Sequence, residues 1–143
     1  MITNLIKTLQ CHSKSNIVGL VSNVRKLDLK KYNWEQYKKI LPNTYNKTVI
    51  FKDNKFEIIL ISWDKNSETK IHSHPSNGCI MRILKGEILE EKYDTKTKEK
   101  IGVNKYFEGN TSYIHDDLYY HKIINGSEKS YSLHIYSPPN FYD

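Results

Sequence analysis

The sequence predicts an all-β domain with a small N-terminal helical region, and three observations predict it. From Lys47 onward, eight short runs rich in Ile, Val, Tyr and Phe follow one another at close spacing. Turn-forming pairs such as Lys85-Gly86, Gly109-Asn110 and Asn125-Gly126 separate them. Ahead of Lys47, apolar residues keep helical spacing instead. Many short strands joined by tight turns imply an antiparallel sandwich or barrel. The 143 residues suit one domain, expected as a helical cap over 1–43 and a β-barrel over 44–143.

Taken in order, Ile2, Leu5, Ile6 and Leu9 form the apolar stripe of a first helix. Asn33, with Gln36 three residues later, reads as a capping box ahead of Tyr37 and Ile40, and Pro42 closes the region. The expected strands are Thr48–Phe51, Phe56–Trp63, Gly78–Leu84, Glu87–Tyr93, Lys100–Tyr106, Tyr113–His115, Tyr119–Ile124 and Tyr131–Ser137. Asp53-Asn54 and Asp64-Lys65-Asn66 supply the remaining turn signals.

Composition removes several classes of function. The net charge is +6, but 20 of the 22 basic residues are Lys, spread among Asp and Glu. A nucleic-acid reader favours the planar fork of Arg, and no groove-binding motif accompanies Lys30-Lys31 or Lys38-Lys39, so no nucleic-acid partner is expected. The densest apolar stretch, Ile58 to Trp63, is far too short to cross a bilayer, so no membrane partner is expected either. Met1 to Gln10 lacks the apolar run of a signal peptide. Cys11 and Cys79 form no CxxC, which points to a reducing, cytoplasmic setting.

The histidines carry the chemistry. His72 and His74 lie two apart on an expected strand, so their imidazoles share a face and suit a divalent metal. Alone, His-x-His is a weak signal, and satisfied or surface histidines account for it better than a metal site does. The spacing beyond it adds weight: four residues separate His74 from Cys79, six separate Cys79 from Gly86, and three separate His121 from Asn125. This pattern resembles the two motifs of the cupins, with Cys79 where most cupins place a ligating Glu. Asn66 stands at the place of the upstream Gly, and the Pro and Gly of the second motif are absent.

Cys79 narrows the resemblance to the thiol-dioxygenase branch, and the chain resembles the cysteine dioxygenases. Tyr45-Asn46-Lys47 is similar to that family's Tyr-x-Arg segment, and Trp63 resembles its Trp ahead of the histidine pair. Ser132-Leu133-His134-Ile135-Tyr136-Ser137-Pro138-Pro139 nearly reproduces its Ser-Leu-His-Leu-Tyr-Ser-Pro-Pro. The likeness runs from about Tyr45 to Pro139. It implies a cupin fold, that is, a double-stranded β-helix or jelly-roll-like barrel. It also implies Fe(II) held by His72, His74 and His121, with O2 as co-substrate and a small thiol, L-cysteine first, oxidised to its sulfinic acid. The alternatives are another thiol, such as cysteamine or a mercapto acid, or a metal-binding cupin without catalysis.

On a strand, Ser132, His134 and Tyr136 share one face. They read as a hydrogen-bond relay, as a satisfied polar stripe, or as a Ser–His hydrolase pair, though no nucleophile elbow is present. The resemblance implies the relay, and a thioether crosslink between Cys79 and Tyr136. It also implies that Tyr45, Lys47, Ile61 and Trp63 contact substrate. Lys47 replaces a carboxylate-gripping Arg, and Arg82 is expected to point away from the pocket. Cys11, His12 and His115 are expected outside the site, with His115 pairing with Asp116 and Asp117 at the surface; Trp34 and the other tyrosines are expected to pack. The sequence ends soon after Pro139, so part of the pocket rim is expected to be missing or supplied by a partner chain, and the unit is expected to be a monomer or weak homodimer.

Overall fold

The structure, a computed structural model, describes residues 2–12 and 18–141. The side chains of Cys11 and His12 lie outside the described residues. Helix α1 (Ile2–His12) carries the expected apolar stripe, and α2 (Val21–Lys26) follows a 3-10 turn at Val18–Leu20. Two further 3-10 turns, Leu29–Lys31 and Glu35–Tyr37, complete the helical region. The expected capping box is not one. Asn33 Oδ1 accepts from Glu35 N at 3.0 Å, two residues on, as an Asx turn ahead of a single 3-10 turn whose N-cap is Trp34. Trp34, donating from Nε1 to Leu29 O at 2.8 Å, draws that turn into the core before a helix can extend.

Eight strands follow: β1 (Tyr45–Lys52), β2 (Glu57–Trp63), β3 (Cys79–Lys85), β4 (Glu87–Tyr93), β5 (Lys100–Phe107), β6 (Thr111–Ile114), β7 (Tyr120–Asn125) and β8 (Ser130–Tyr136). They form a five-stranded sheet in the order β1-β2-β8-β3-β6 and a three-stranded sheet in the order β5-β4-β7. All the strand pairings are antiparallel. The dense apolar run of the sequence becomes β2, buried along its whole length because both of its faces are covered.

Each face of the larger sheet has its own core. On one, Phe56, Ile58, Leu60, Ile80, Leu133 and Ile135 pack against Leu5, Leu9, Leu20, Val24, Leu29 and Trp34 of the helical cap. On the other, Ile59, Ile61, Trp63, Cys79 and Met81 face Ile88 and Ile123 of the smaller sheet. Strand alternation sorts the two sets. Arg82 falls on the cap side, where Nη1 and Nη2 donate to Val24 O and Leu27 O at 2.6 and 3.0 Å. Gly86 joins β3 to β4 with φ near +93°, and a Cβ there would lie 2.2 Å from Ser130 Oγ. Asn66, at the place of the motif's other Gly, also takes a left-handed turn, with φ near 64°.

Candidate metal centre

The histidine pair sits on a ragged strand edge rather than within a strand. Thr69 N donates to Ile123 O, and His72 exchanges backbone hydrogen bonds with His121 of β7. The chain then leaves the sheet, because His74 N is taken by the Asp116 side chain at 2.8 Å. Period two therefore does not aim these two imidazoles. Pairing with β7 places the first, and Asp116 places the second.

The three rings still converge. Their potential ligand atoms lie within 4.8 Å of one another, and His121 Nε2 is 2.9 Å from both His72 Nε2 and His74 Nε2. The opposite nitrogens settle the tautomers. His72 Nδ1 faces Lys70 O at 2.8 Å, His74 Nδ1 faces Asp116 Oδ1 at 3.2 Å, and His121 Nδ1 faces Glu90 Oε2 at 2.7 Å. A carbonyl and two carboxylates only accept, so each Nδ1 carries the proton and each Nε2 presents a lone pair. Three lone pairs packed together without a donor repel, and a cation between them removes the conflict. Burial pushes His72 down to about 4 and His74 lower still, and the crowding of the rings works in the same direction, so both stay neutral at neutral pH. Neutral imidazoles with anchored Nδ1–H groups are the form that ligates metal.

A cavity of about 360 Å3 opens over these nitrogens. Tyr45, Lys47, Ile61 and Trp63 line one side of it, and Cys79, His134 and Tyr136 line another. Tyr45 and Lys47 stand on alternate positions of β1, and the Tyr45 ring lies 5.2 Å from that of Trp63. Ser132 sits one layer behind. Its Oγ accepts from Trp63 Nε1 at 2.8 Å and lies 2.7 Å from His134 Nε2. His134 Nδ1 in turn lies 3.3 Å from the Tyr136 hydroxyl. Because indole only donates, Ser132 uses its own proton on Nε2, which leaves His134 protonated at Nδ1, toward Tyr136. Burial holds His134 well below its ordinary range, so the ring is neutral.

Cys79 pairs in register with Tyr136 across β3 and β8, and its Sγ is 3.9 Å from His134 Nδ1. Burial pushes this thiol up. His115 stays outside the cavity, near Ser76 O and Asp117. Asp116 does not pair with it as expected but turns inward to His74. Two tyrosines expected as packing also do more: the Tyr106 and Tyr119 hydroxyls lie 2.9 and 3.5 Å from Glu90 Oε1. Burial alone would raise Glu90, but the His121 N–H and Tyr106 outweigh it and hold the carboxyl below its usual range. Glu90 was legible in principle, since it shares the inward face of β4 with Ile88.

Among known proteins, the family model described as cysteine dioxygenase type I matches residues 3–142. Cysteine dioxygenase type 1 of Danio rerio is 28% identical over 150 residues, covering 95% of this chain and 74% of that protein. The Homo sapiens enzyme of the same name is also 28% identical, over 74% of this chain but only 57% of its own length. The chain thus spans little more than half of such mammalian relatives. Among solved structures, a conserved protein with a double-stranded β-helix domain from Klebsiella pneumoniae aligns with a TM-score of 0.64 at 14% identity, covering 79% of this chain and 93% of that one. A cupin superfamily protein from Desulfitobacterium hafniense aligns at 0.54 and 15%, covering 69% and 82%. These likenesses establish the cupin fold. With the family match spanning nearly its whole length, the chain belongs to the cysteine dioxygenase type I family.

Proposed function

We propose that this protein is a cysteine dioxygenase-like thiol dioxygenase that joins one small thiol, L-cysteine first, to both atoms of O2 and releases the sulfinic acid. The observation that carries the reading is the set of three Nε2 lone pairs converging in a cavity that also holds Cys79, His134 and Tyr136. Iron(II) held by His72, His74 and His121 would supply the electrons that activate O2 and the positive charge that keeps the substrate sulfur as thiolate. No ligand of the set is anionic, so the thiolate provides the negative charge a carboxylate would otherwise bring.

The chain's own residues do the rest. Lys47 neutralises the substrate carboxylate at the cavity mouth, while Tyr45, Ile61 and Trp63 wall the site and limit water. His134, set in its tautomer by Ser132, orients the Tyr136 hydroxyl toward the reacting atoms. Cys79 and Tyr136 form the thioether crosslink, losing two hydrogens to O2, a step supported by their direct cross-strand pairing. The setting is cytoplasmic, and the unit is a monomer or weak homodimer. Lys47 also favours a second reading: a point charge fixes a carboxylate less firmly than an Arg fork, which suits another small thiol such as cysteamine or a mercapto acid. Oxygen uptake by Fe(II)-loaded protein across cysteine, cysteamine and a mercapto acid tests both. Consumption of cysteine with sulfinate release is expected. Preference for another thiol selects the second reading, and consumption of none leaves a metal-binding cupin without catalysis.

A further inference from the structure

Glu90 is fully buried, and its one ion-pair partner among the described residues is His121, 2.7 Å away. The Tyr106 and Tyr119 hydroxyls satisfy its other oxygen, but phenols bring hydrogen bonds without charge. Lys92 acts only from further off, its ammonium lying 4.8 Å from the centroid of the Tyr119 ring. A carboxylate taken out of water needs a compensating charge, and a neutral imidazole does not supply one. The imidazole can transmit one, since its Nδ1–H rests on Glu90 while its Nε2 faces the metal position. The other two ligands are backed differently. His74 leans on Asp116, whose side chain is 34% exposed and so screened by water, and His72 leans on an uncharged carbonyl.

We propose that Glu90 is the internal counter-anion of the metal centre. It acts through His121, makes that imidazole the strongest of the three donors, and carries much of the site's affinity for a dication. Glu90 is thus a positioning residue rather than a catalytic one. The inference rests on the metal-binding part of the proposed function and not on thiol oxidation.

Glu90→Gln keeps an acceptor for Nδ1–H and removes only the charge. Competition with a chelator should show Zn(II) and Fe(II) bound about 10- to 100-fold more weakly than by wild type. Asp116→Asn should cost less than about threefold, as expected for a screened charge. Metal-free Glu90→Gln should melt at or above the wild-type midpoint, since a buried charge without a full counter-charge has been removed. A lowered metal-free midpoint with affinity within about twofold of wild type would make Glu90 a structural strut and overturn the proposal, as would equal losses in the two variants. Wild type offers a test that needs no variant to fold: in Zn(II)-loaded protein, the Nδ1 proton of His121 should resonate furthest downfield of the three ligands. Any other order overturns the assignment. Weakened binding in Glu90→Gln together with a wild type that oxidises no thiol would sustain the counter-anion and remove the dioxygenase. A wild type that takes up neither metal removes both.

Discussion

The two faces of the five-stranded sheet are made by the same strands and do opposite work. Along β8, His134 and Tyr136 line the cavity with Ser132 bonded behind His134 on the same face, while Leu133 and Ile135 look into the aliphatic core under the cap. Along β3, Cys79 and Met81 alternate with Ile80 and Arg82. One face holds its polar groups by specific hydrogen bonds and is otherwise open to a ligand. The other excludes water and holds the sheet rigid. The contrast shows that the precision of the site is borrowed from the side with no chemistry: a residue can be aimed to a fraction of an ångström only if its neighbours, one position away in sequence, are locked in close packing.

Substitutions on each face should separate these roles. The largest effect belongs to the cavity side: His121→Ala should abolish measurable metal binding and turnover together while leaving the protein folded, as metal analysis and circular dichroism would register. Full metal occupancy in that variant would remove His121 from the ligand set. On the cap side, Leu60→Ala empties a fully buried position and should cost about 2–5 kcal/mol of stability. The folded fraction should keep its metal stoichiometry, and loss of metal from folded protein would blur the distinction between the faces. A third effect runs through pH. Folding holds His72 down near 4 against an ordinary value of 6.5, so the unfolded chain takes up protons first as pH falls. Metal-free protein should be most stable above pH 6.5 and lose stability as pH drops toward 4; a flat profile of thermal midpoint across that window would contradict the burial of this ring. The smallest expected effect is at the cavity mouth. Lys47→Met should weaken cysteine by about tenfold, the loss of one charge-assisted contact, and change cysteamine little. Equal loss with both thiols would make Lys47 a support of the fold.

The sequence foreshadowed the sheet better than the site. Of the eight strands, β4 begins and ends where its alternation and turn residues predict, and the others shift by a few residues. The cavity-lining residues named from the family likeness do line it, because the motif carries their spacing along single strands. What stayed hidden was everything set by pairing between distant segments. Glu90 meets His121 across 31 residues and Asp116 meets His74 across 42, and no local pattern announces either contact. Alternation tells which face a side chain occupies but not what stands opposite. The His72–His74 pair failed as a strand for the same reason, since Asp116 captures a backbone N–H that local sequence would leave to a ladder.

The two hydrogen bonds from Arg82 bear on how the chain is made. Their acceptors, Val24 O and Leu27 O, are synthesised 58 and 55 residues before the guanidinium that holds them. At about 5–20 residues per second that interval lasts several seconds. Helix α2 has six residues, far below the length at which an isolated helix persists, and the sheet face that would hold α1 does not yet exist. Throughout that time Leu5, Leu9, Leu20 and Val24 lack the part of their core that β3 and β8 supply, Ile80, Leu133 and Ile135. Stalled nascent chains ending ahead of Arg82 should therefore leave residues 2–12 and 18–26 open to protease, and a protected cap on such chains would refute the dependence. The cap is made well before the strands that hold it, and a holdase chaperone would find its apolar stripe exposed for as long as β3 and β8 remain unmade.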